Sequence, residues 1–285
     1  MQPSNPQILR REQFLAELDS FDCIIDVRSP AEFALDHIPG AVNYPVLDNE
    51  ERAQIGTLYK QDSPFAAKKL GAALVSRNIA NHLEKHFQEF PRTWRPLVYC
   101  WRGGERSGAF THILNRVGWK AMQLEGGYQG FRRTVIDGLD EAAKQFSFQV
   151  ICGMTGGGKT RVLQEARDYG AQILDLEALA IHRGSVLGNE PNIEQPSQKG
   201  FETALWNALR TLDPSRPVLV ESESKKVGGL HVPDALMEKI RNGSCIELRS
   251  SSKTRVSWLI REYHHFLTDT DNFKASSRQS SDRHV

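Results

Sequence analysis

Cysteine is scarce in this chain: four in 285 residues, at Cys23, Cys100, Cys152 and Cys245, with no metal-type spacing among them. That pattern excludes a metal centre built on paired cysteines. Cys23, Cys152 and Cys245 each lie in or beside an apolar run and read as small buried hydrophobes. Long hydrophobic stretches are missing too. None approaches the roughly 20 residues that a membrane-spanning helix needs, so a helical span is excluded. The opening Met1-Gln2-Pro3-Ser4-Asn5-Pro6 lacks the charged-then-apolar order of an export signal. Net charge is nearly absent, at +1, so composition argues neither for nor against a nucleic-acid partner, and any such surface would be local. No internal repeat is present. The expectation is a soluble protein of a reducing cytoplasm with no membrane partner.

What is present is strand–helix alternation, twice over. The length suits about two domains, and 39% hydrophobic residues can fill their cores. Residues 1–145 read as one α/β unit, with strands at 23–27, 41–45, 97–99 and 120–124. Helices are expected at 11–18, 64–90, 107–117 and from Gly127 to about residue 144, the second marked by Ile79, Leu83, Phe87 and Phe90 at three-to-four spacing. Residues 146–273 restart the pattern, with strands at 148–152, 171–176, 217–221 and 245–248. Its helices are 159–169, 201–212, 233–241 and a last one lined by Val256, Leu259, Ile260, Tyr263 and Leu267. Phe201, Ala204, Leu205, Ala208, Leu209 and Leu212 form the clearest apolar face in the chain. Such alternation predicts parallel sheets with helices on both faces. Residues 274–285, rich in serine and charge, read as a disordered tail.

Two strands deliver loops suited to anions. Pro96-Leu97-Val98-Tyr99 runs into Cys100-Trp101-Arg102-Gly103-Gly104-Glu105-Arg106-Ser107. A thiol is a nucleophile only as its thiolate. A cysteine at a strand end, on a loop that coils into a helix, has backbone N–H groups aimed at its sulfur. The two glycines permit the tight turn, and Arg102 and Arg106 add positive charge. This cradle would stabilise a thiolate, persulfide or perselenide, which makes Cys100, Arg102 and Arg106 the catalytic candidates. The second loop, Gly153-Met154-Thr155-Gly156-Gly157-Gly158-Lys159-Thr160, follows Phe148-Gln149-Val150-Ile151 and satisfies the Walker A pattern. Its N–H groups, from Gly153 and Thr155 through Gly156, Gly157 and Gly158, would wrap a diphosphate. Lys159 would neutralise outer oxygens, and Thr160 could ligate Mg²⁺. No resident metal site is assigned. Glu221 stands where the acidic partner strand of such loops usually carries Asp, and Asp175 ends another strand. Either could hold a metal-bound water or be an ordinary strand-end carboxylate. The departure argues against fast nucleotide hydrolysis. His182, Arg183 and Ser185, in a long loop, are substrate-binding candidates beside Asp175. Lys225 and Lys226 could meet RNA phosphates or form a solvated pair, and His264 and His265 read as structural or exposed.

Asp26-Val27-Arg28-Ser29-Pro30-Ala31-Glu32-Phe33, then His37-Ile38-Pro39-Gly40-Ala41-Val42-Asn43, the Cys100 loop and Leu124-Glu125-Gly126-Gly127-Tyr128 resemble, in order, the signatures of rhodanese domains. The resemblance implies that Asp26 and Arg28 are mostly architectural and that His37 packs rather than catalyses. A rhodanese-like domain joined to a P-loop NTPase-like α/β domain resembles the tRNA 2-selenouridine synthase family, over residues 7–272. Asp175-Leu176-Glu177 followed by His182-Arg183-Gly184-Ser185 belongs to that likeness.

The resemblance implies a transferase that replaces sulfur by selenium in wobble-position 2-thiouridine of tRNA. Selenophosphate and geranyl diphosphate would be co-substrates, with a selenophosphate supply enzyme as a possible partner. S-geranylation would turn C2 into an electrophile and the sulfur into a leaving group. Family members continue through further helices after the region matching residues 258–273, so this chain reads as truncated or frame-shifted there. Three rivals stand beside this reading: a plain rhodanese-type sulfurtransferase, a nucleotide-dependent P-loop protein with a non-catalytic rhodanese module, and an inactive tRNA-binding remnant.

Overall fold

The computed structural model describes residues 7–182 and 193–262. The chain divides into two compact units, Met1–Val135 and Ile136–Val285. The first is built on strands β1 (Gln7–Leu9), β2 (Cys23–Asp26), β3 (Ala41–Asn43), β4 (Pro96–Tyr99) and β5 (Met122–Leu124). All pair in parallel, in the order β1-β5-β4-β2-β3. Its helices are α1 (Phe14–Glu17), α2 (Pro30–Leu35), α3 (Asn49–Gln61), α4 (Pro64–His86), α5 (Glu105–Val117) and α6 (Gly127–Gln145), the last of which crosses the division between units in sequence. β4 is buried at every position, the unbroken apolar run of a strand covered on both faces. Cys100 therefore emerges at the carboxyl end of a central strand, where parallel sheets present their loops.

An aromatic core holds α4 and α5 on this sheet. Phe87, Trp94 and Phe110 are buried in it, and Phe90 stacks on Trp94 with centroids 4.2 Å apart. Each such ring, fully buried, stabilises the fold by about 1.5–3 kcal/mol. α3 was not anticipated from the sequence. It fully buries no residue, Ile55 and Leu58 being half-buried, so its apolar period is weak; its legible signal is the capping box of Asp48 and Glu51. α4 begins with Pro64 in its first turn and stops at His86, before Phe90.

Arg28 is sealed in this unit, 1% exposed against a fully buried Asp26. Its Nη2 donates to Asp26 Oδ2 at 2.6 Å and to the Asp36 carbonyl at 2.7 Å, and its guanidinium lies 4.0 Å from the Tyr128 ring centroid. The pair ties β2 to the segment before β3, as the architectural reading required. His37 likewise bonds the Phe33 carbonyl at 2.9 Å and stacks on the Phe33 ring. Arg28→Met would leave the Asp26 carboxylate buried without its partner. Thermal or urea denaturation should show a loss of about 3–5 kcal/mol; a loss below about 1 kcal/mol would contradict a desolvated ion pair.

The second unit carries β6 (Phe148–Cys152), β7 (Gln172–Leu174), β8 (Val218–Glu221), β9 (Lys226–Val227), β10 (Leu230–His231) and β11 (Ser244–Glu247). Four of these form a parallel sheet in the order β11-β6-β8-β7, while β9 and β10 make an antiparallel ribbon. Its helices are α7 (Lys159–Asp168), α8 (Leu176–Ala180), α9 (Gln198–Leu209), α10 (Asp234–Arg241) and α11 (Ser252–Glu262). The apolar face anticipated on α9 is buried at Phe201, Leu205 and Leu209. Three cysteines depart from expectation. Cys23 and Cys152 are only half-buried and Cys245 is exposed, because β11 is an edge strand exposed along its whole length. Cys152 and Cys245 lie on neighbouring strands with Cα atoms 6.1 Å apart, so they face each other rather than packing as separate hydrophobes. The expected tail at 274–285 and His264 and His265 lie outside the described residues.

Candidate functional site

Cys100 is buried, yet its sulfur is not in hydrocarbon. The Gly104 N–H donates to Sγ at 3.3 Å, and the Ser107 hydroxyl lies 3.1 Å from it. Gly104 is the N-cap of α5, so the positive end of a four-turn helix faces the sulfur. Ser107 sits one turn into α5, and its hydroxyl also lies 3.2 Å from the Gly104 carbonyl. Gln123 Nε2, from β5, donates to the Gly103 carbonyl at 2.6 Å, the Gly104 carbonyl at 3.1 Å and Ser107 Oγ at 2.9 Å. The loop is thus braced from behind. Gly103 has φ +66°, and a Cβ there would stand 2.5 Å from the Leu124 carbonyl oxygen. Gly127, at φ +52°, would clash in turn with the Cys100 carbonyl. Both must be glycine for the two loops to nest. The structure directs the two arginines elsewhere. Arg102 bonds Gln129 at 3.2 Å, and Arg106 pairs with Glu32 at 3.2 Å, the same carboxylate that caps α2.

The second loop also joins a strand to a helix: β6 leads into Gly153 and α7 opens at Lys159, with Gly158 in the left-handed region as its N-cap. Thr160 Oγ1 lies 3.4 Å from Glu177 Oε2. Glu177, Glu221 and Glu223 place one oxygen each within 4.8 Å of one another. Glu221 is 3% exposed, and its Oε1 is buried without a hydrogen-bond partner. Burial first, then the neighbouring carboxylates, raises Glu177 above the usual carboxylate range. Burial pushes Glu221 up to about 7, against the pull of Thr160 and Lys159, and raises Glu223 as well. Loops of this kind imply Mg²⁺, and these residues fit it: hard oxygen donors converge beside a threonine hydroxyl, and one buried oxygen lacks a partner. Asp175 is used otherwise. Its Oδ1 accepts the Ala178 N–H at 2.9 Å as the N-cap of α8. His182 is buried, and its N–H donates to the Glu177 carbonyl at 3.0 Å. Arg183 and Ser185 lie outside the described residues. Lys225 is paired with Asp234 at 2.5 Å, while Lys226 is exposed.

Known proteins divide along the same lines. Residues 10–134 match the rhodanese-like domain model, and residues 146–283 match that of the tRNA 2-selenouridine synthase AAA domain. The tRNA 2-selenouridine synthase of Psychromonas ingrahamii is 35% identical over 260 residues, which cover 90% of this chain and 69% of that protein. The chain belongs to the tRNA 2-selenouridine synthase family. The synthase of Nitrosomonas europaea is 38% identical over 244 residues, 84% of this chain, and that of Alcanivorax borkumensis 37% over 246 residues. The chain spans 63% of the length of the Nitrosomonas europaea relative.

In this family member several site residues had drawn no role from the sequence. Glu223 lies two residues beyond Glu221, the spacing that puts side chains on one face of an extended segment, and that was the available signal. Glu177 stood inside a quoted motif without a function of its own. Ser107 stood inside the quoted loop without a function of its own, and Gln123 reaches that loop only through the fold, where no spacing rule would have found it. No described helix is long and apolar enough to cross a membrane.

The carboxylate cluster predicts a pH signature. Glu221 holds its proton more tightly folded than unfolded, where its value is 4.5. Its contribution to stability is therefore full below about 4.5 and is lost as pH rises through about 7. Melting temperature should fall between pH 5 and 8, and added Mg²⁺ should restore more of it at pH 8 than at pH 5.5. A Mg²⁺ effect independent of pH would count against this cluster as the cation site.

Proposed function

We propose that this chain is a cytoplasmic transferase acting on tRNA that carries 2-thiouridine at the wobble position, replacing that sulfur by selenium. What carries the reading is Cys100 Sγ, buried but facing the Gly104 amide, the Ser107 hydroxyl and a helix N-terminus. That setting stabilises an anionic chalcogen, sulfur or selenium, by hydrogen bonds needing no reorganisation. Selenophosphate is the selenium source in this reading, drawn from a supply enzyme, and geranyl diphosphate is the second co-substrate.

The chemistry runs in two steps. A thiocarbonyl carbon resists displacement. Attack by the thiouridine sulfur on C1 of the geranyl group breaks the C–O bond to pyrophosphate and leaves an S-geranyl group, which makes C2 electrophilic. The glycine loop from Gly153 to Gly158 would hold the diphosphate by its amides, with Lys159 over the outer oxygens as charge builds on the leaving group. Mg²⁺, held by Thr160, Glu177, Glu221 and Glu223, would supply further neutralisation of pyrophosphate. Selenophosphate delivered at Cys100 then adds to C2 through its selenide-level selenium, the C2–S bond breaks as geranyl thiolate leaves, and water cleaves the Se–P bond to release phosphate. Arg102 and Arg106, through Gln129 and Glu32, would hold the loop's outer face and add positive potential there.

The test is mass spectrometry of wobble nucleosides after thiolated tRNA is incubated with the chain, geranyl diphosphate and selenophosphate. Both the S-geranyl and the seleno nucleoside are expected. Cyanide-dependent sulfur transfer without either product would establish the simple sulfurtransferase instead. ATP turnover that ignores Cys100 would favour a nucleotide-dependent module, and tRNA retention without product would favour an inactive binder.

A further inference from the structure

One face of the Gly153–Gly158 loop is lined by residues 248–259, from the end of β11 into α11. The Leu248 N–H donates to the Cys152 carbonyl at 2.7 Å, just before the loop begins. Arg255, in the first turn of α11, donates from Nε to the Thr155 carbonyl at 3.2 Å, and its Nη1 lies 3.1 Å from Met154 Sδ. One turn further, Leu259 packs on Gly156, where φ is +72° and a Cβ would stand 2.7 Å from Leu259 Cγ. The Trp258 ring holds α11 to α7, with its centroid 4.9 Å from the Arg161 guanidinium. Among the described residues the partners of Arg255 are that carbonyl and that thioether, not a carboxylate. Its hydrogen bonds are spent on the loop.

The loop needs such a hold. Four of its six residues are glycine, and glycine gives up more backbone freedom on ordering than any other residue. An anion that had to order the loop itself would lose affinity to that cost, whereas a loop already held loses less. A fixed carbonyl is also one that does not turn its lone pairs toward the anion. We propose that Arg255 is a positioning residue for the diphosphate site: it holds the Thr155 carbonyl against α11 and so presets the loop's amides before the anion arrives. The inference rests on the phosphate-loop part of the reading above and adds the helix that keeps that loop in shape.

The test titrates the full chain with inorganic pyrophosphate by calorimetry. Arg255→Ala should weaken binding by about tenfold or more, the worth of one hydrogen bond from a charged group. Arg255→Lys keeps the charge and a donor without the fork, and should recover part of the loss. Lys253→Ala removes an equal charge from an exposed place on the same helix and should bind as the unaltered chain does. The melting temperature of the empty chain should hold in all three. Hydrogen exchange supplies a readout that charge alone would not move. Without ligand, the amides of residues 154–158 should exchange faster in Arg255→Ala than in the unaltered chain, and saturating pyrophosphate should close the gap. Equal affinity with and without Arg255, an equal loss from Lys253→Ala, or unchanged exchange in the empty loop overturns the proposal. The parent reading is separated by Lys159→Ala. If pyrophosphate binding survives that substitution undiminished, the loop is not the anion site and both readings fall. If Lys159→Ala abolishes binding and Arg255→Ala leaves it intact, only the role of Arg255 falls.

Discussion

Cys100→Ala is expected to abolish selenium incorporation, by on the order of 10³-fold or more, while S-geranyl tRNA accumulates. The expectation follows from where the sulfur sits. Gly104 and Ser107 offer hydrogen bonds to one atom, and Gln123 fixes both the carbonyls and the hydroxyl around it. Alanine removes that atom and leaves the donors facing an empty place. Since residue 100 is buried, the substitution also opens a small cavity, with a stability loss of about 1–2 kcal/mol that leaves the fold intact. Cys100→Ser, which keeps a hydrogen-bonding group, separates chemistry from packing: it should be equally inactive in selenation. Nucleoside mass spectrometry reads both products at once. If geranylated and selenated nucleosides vanish together, Cys100 is not confined to the selenium step.

Lys159→Ala gives the opposite pattern. It should lower geranyl transfer by about 10²–10³-fold, the cost of removing one group that stabilises developing charge. Lys159 opens α7 directly behind the glycine loop, and its charge partly offsets the upward push that burial gives Glu221 and Glu223. Supplying tRNA geranylated beforehand should bypass the defect and restore selenation through Cys100. Lys159→Arg keeps the charge but not the reach of a compact ammonium, and should recover only part of the rate. If pre-geranylated tRNA fails to rescue Lys159→Ala, the loop does more than handle pyrophosphate.

Much of the architecture could be read in advance because local and global signals agreed. β4 and β6 are short apolar runs ended by glycine-bearing loops, and both form strands as that composition predicts. α9 was readable from its periodicity, and its buried face carries Phe201, Leu205 and Leu209. α3 was not, since its apolar residues such as Ile55 and Leu58 are only half-buried and make no clean stripe. The cysteines show the other limit. Burial of Cys245 was inferred from apolar neighbours, but an apolar run says nothing of whether its strand lies at the centre or the edge of a sheet.

The site divides in the same way. Chain order alone set the two glycine-bearing loops and their reactive residues, Cys100, Lys159 and Thr160, because consecutive residues at a strand–helix junction are forced into one small space. Glu177 comes from a different segment than Glu221 and Glu223, and Gln123 from a different one than Cys100. Their meeting depends on strand order and helix packing. Those are properties of the assembled sheet, where long-range contacts replace sequence neighbours, and only the folded chain could bring such residues together.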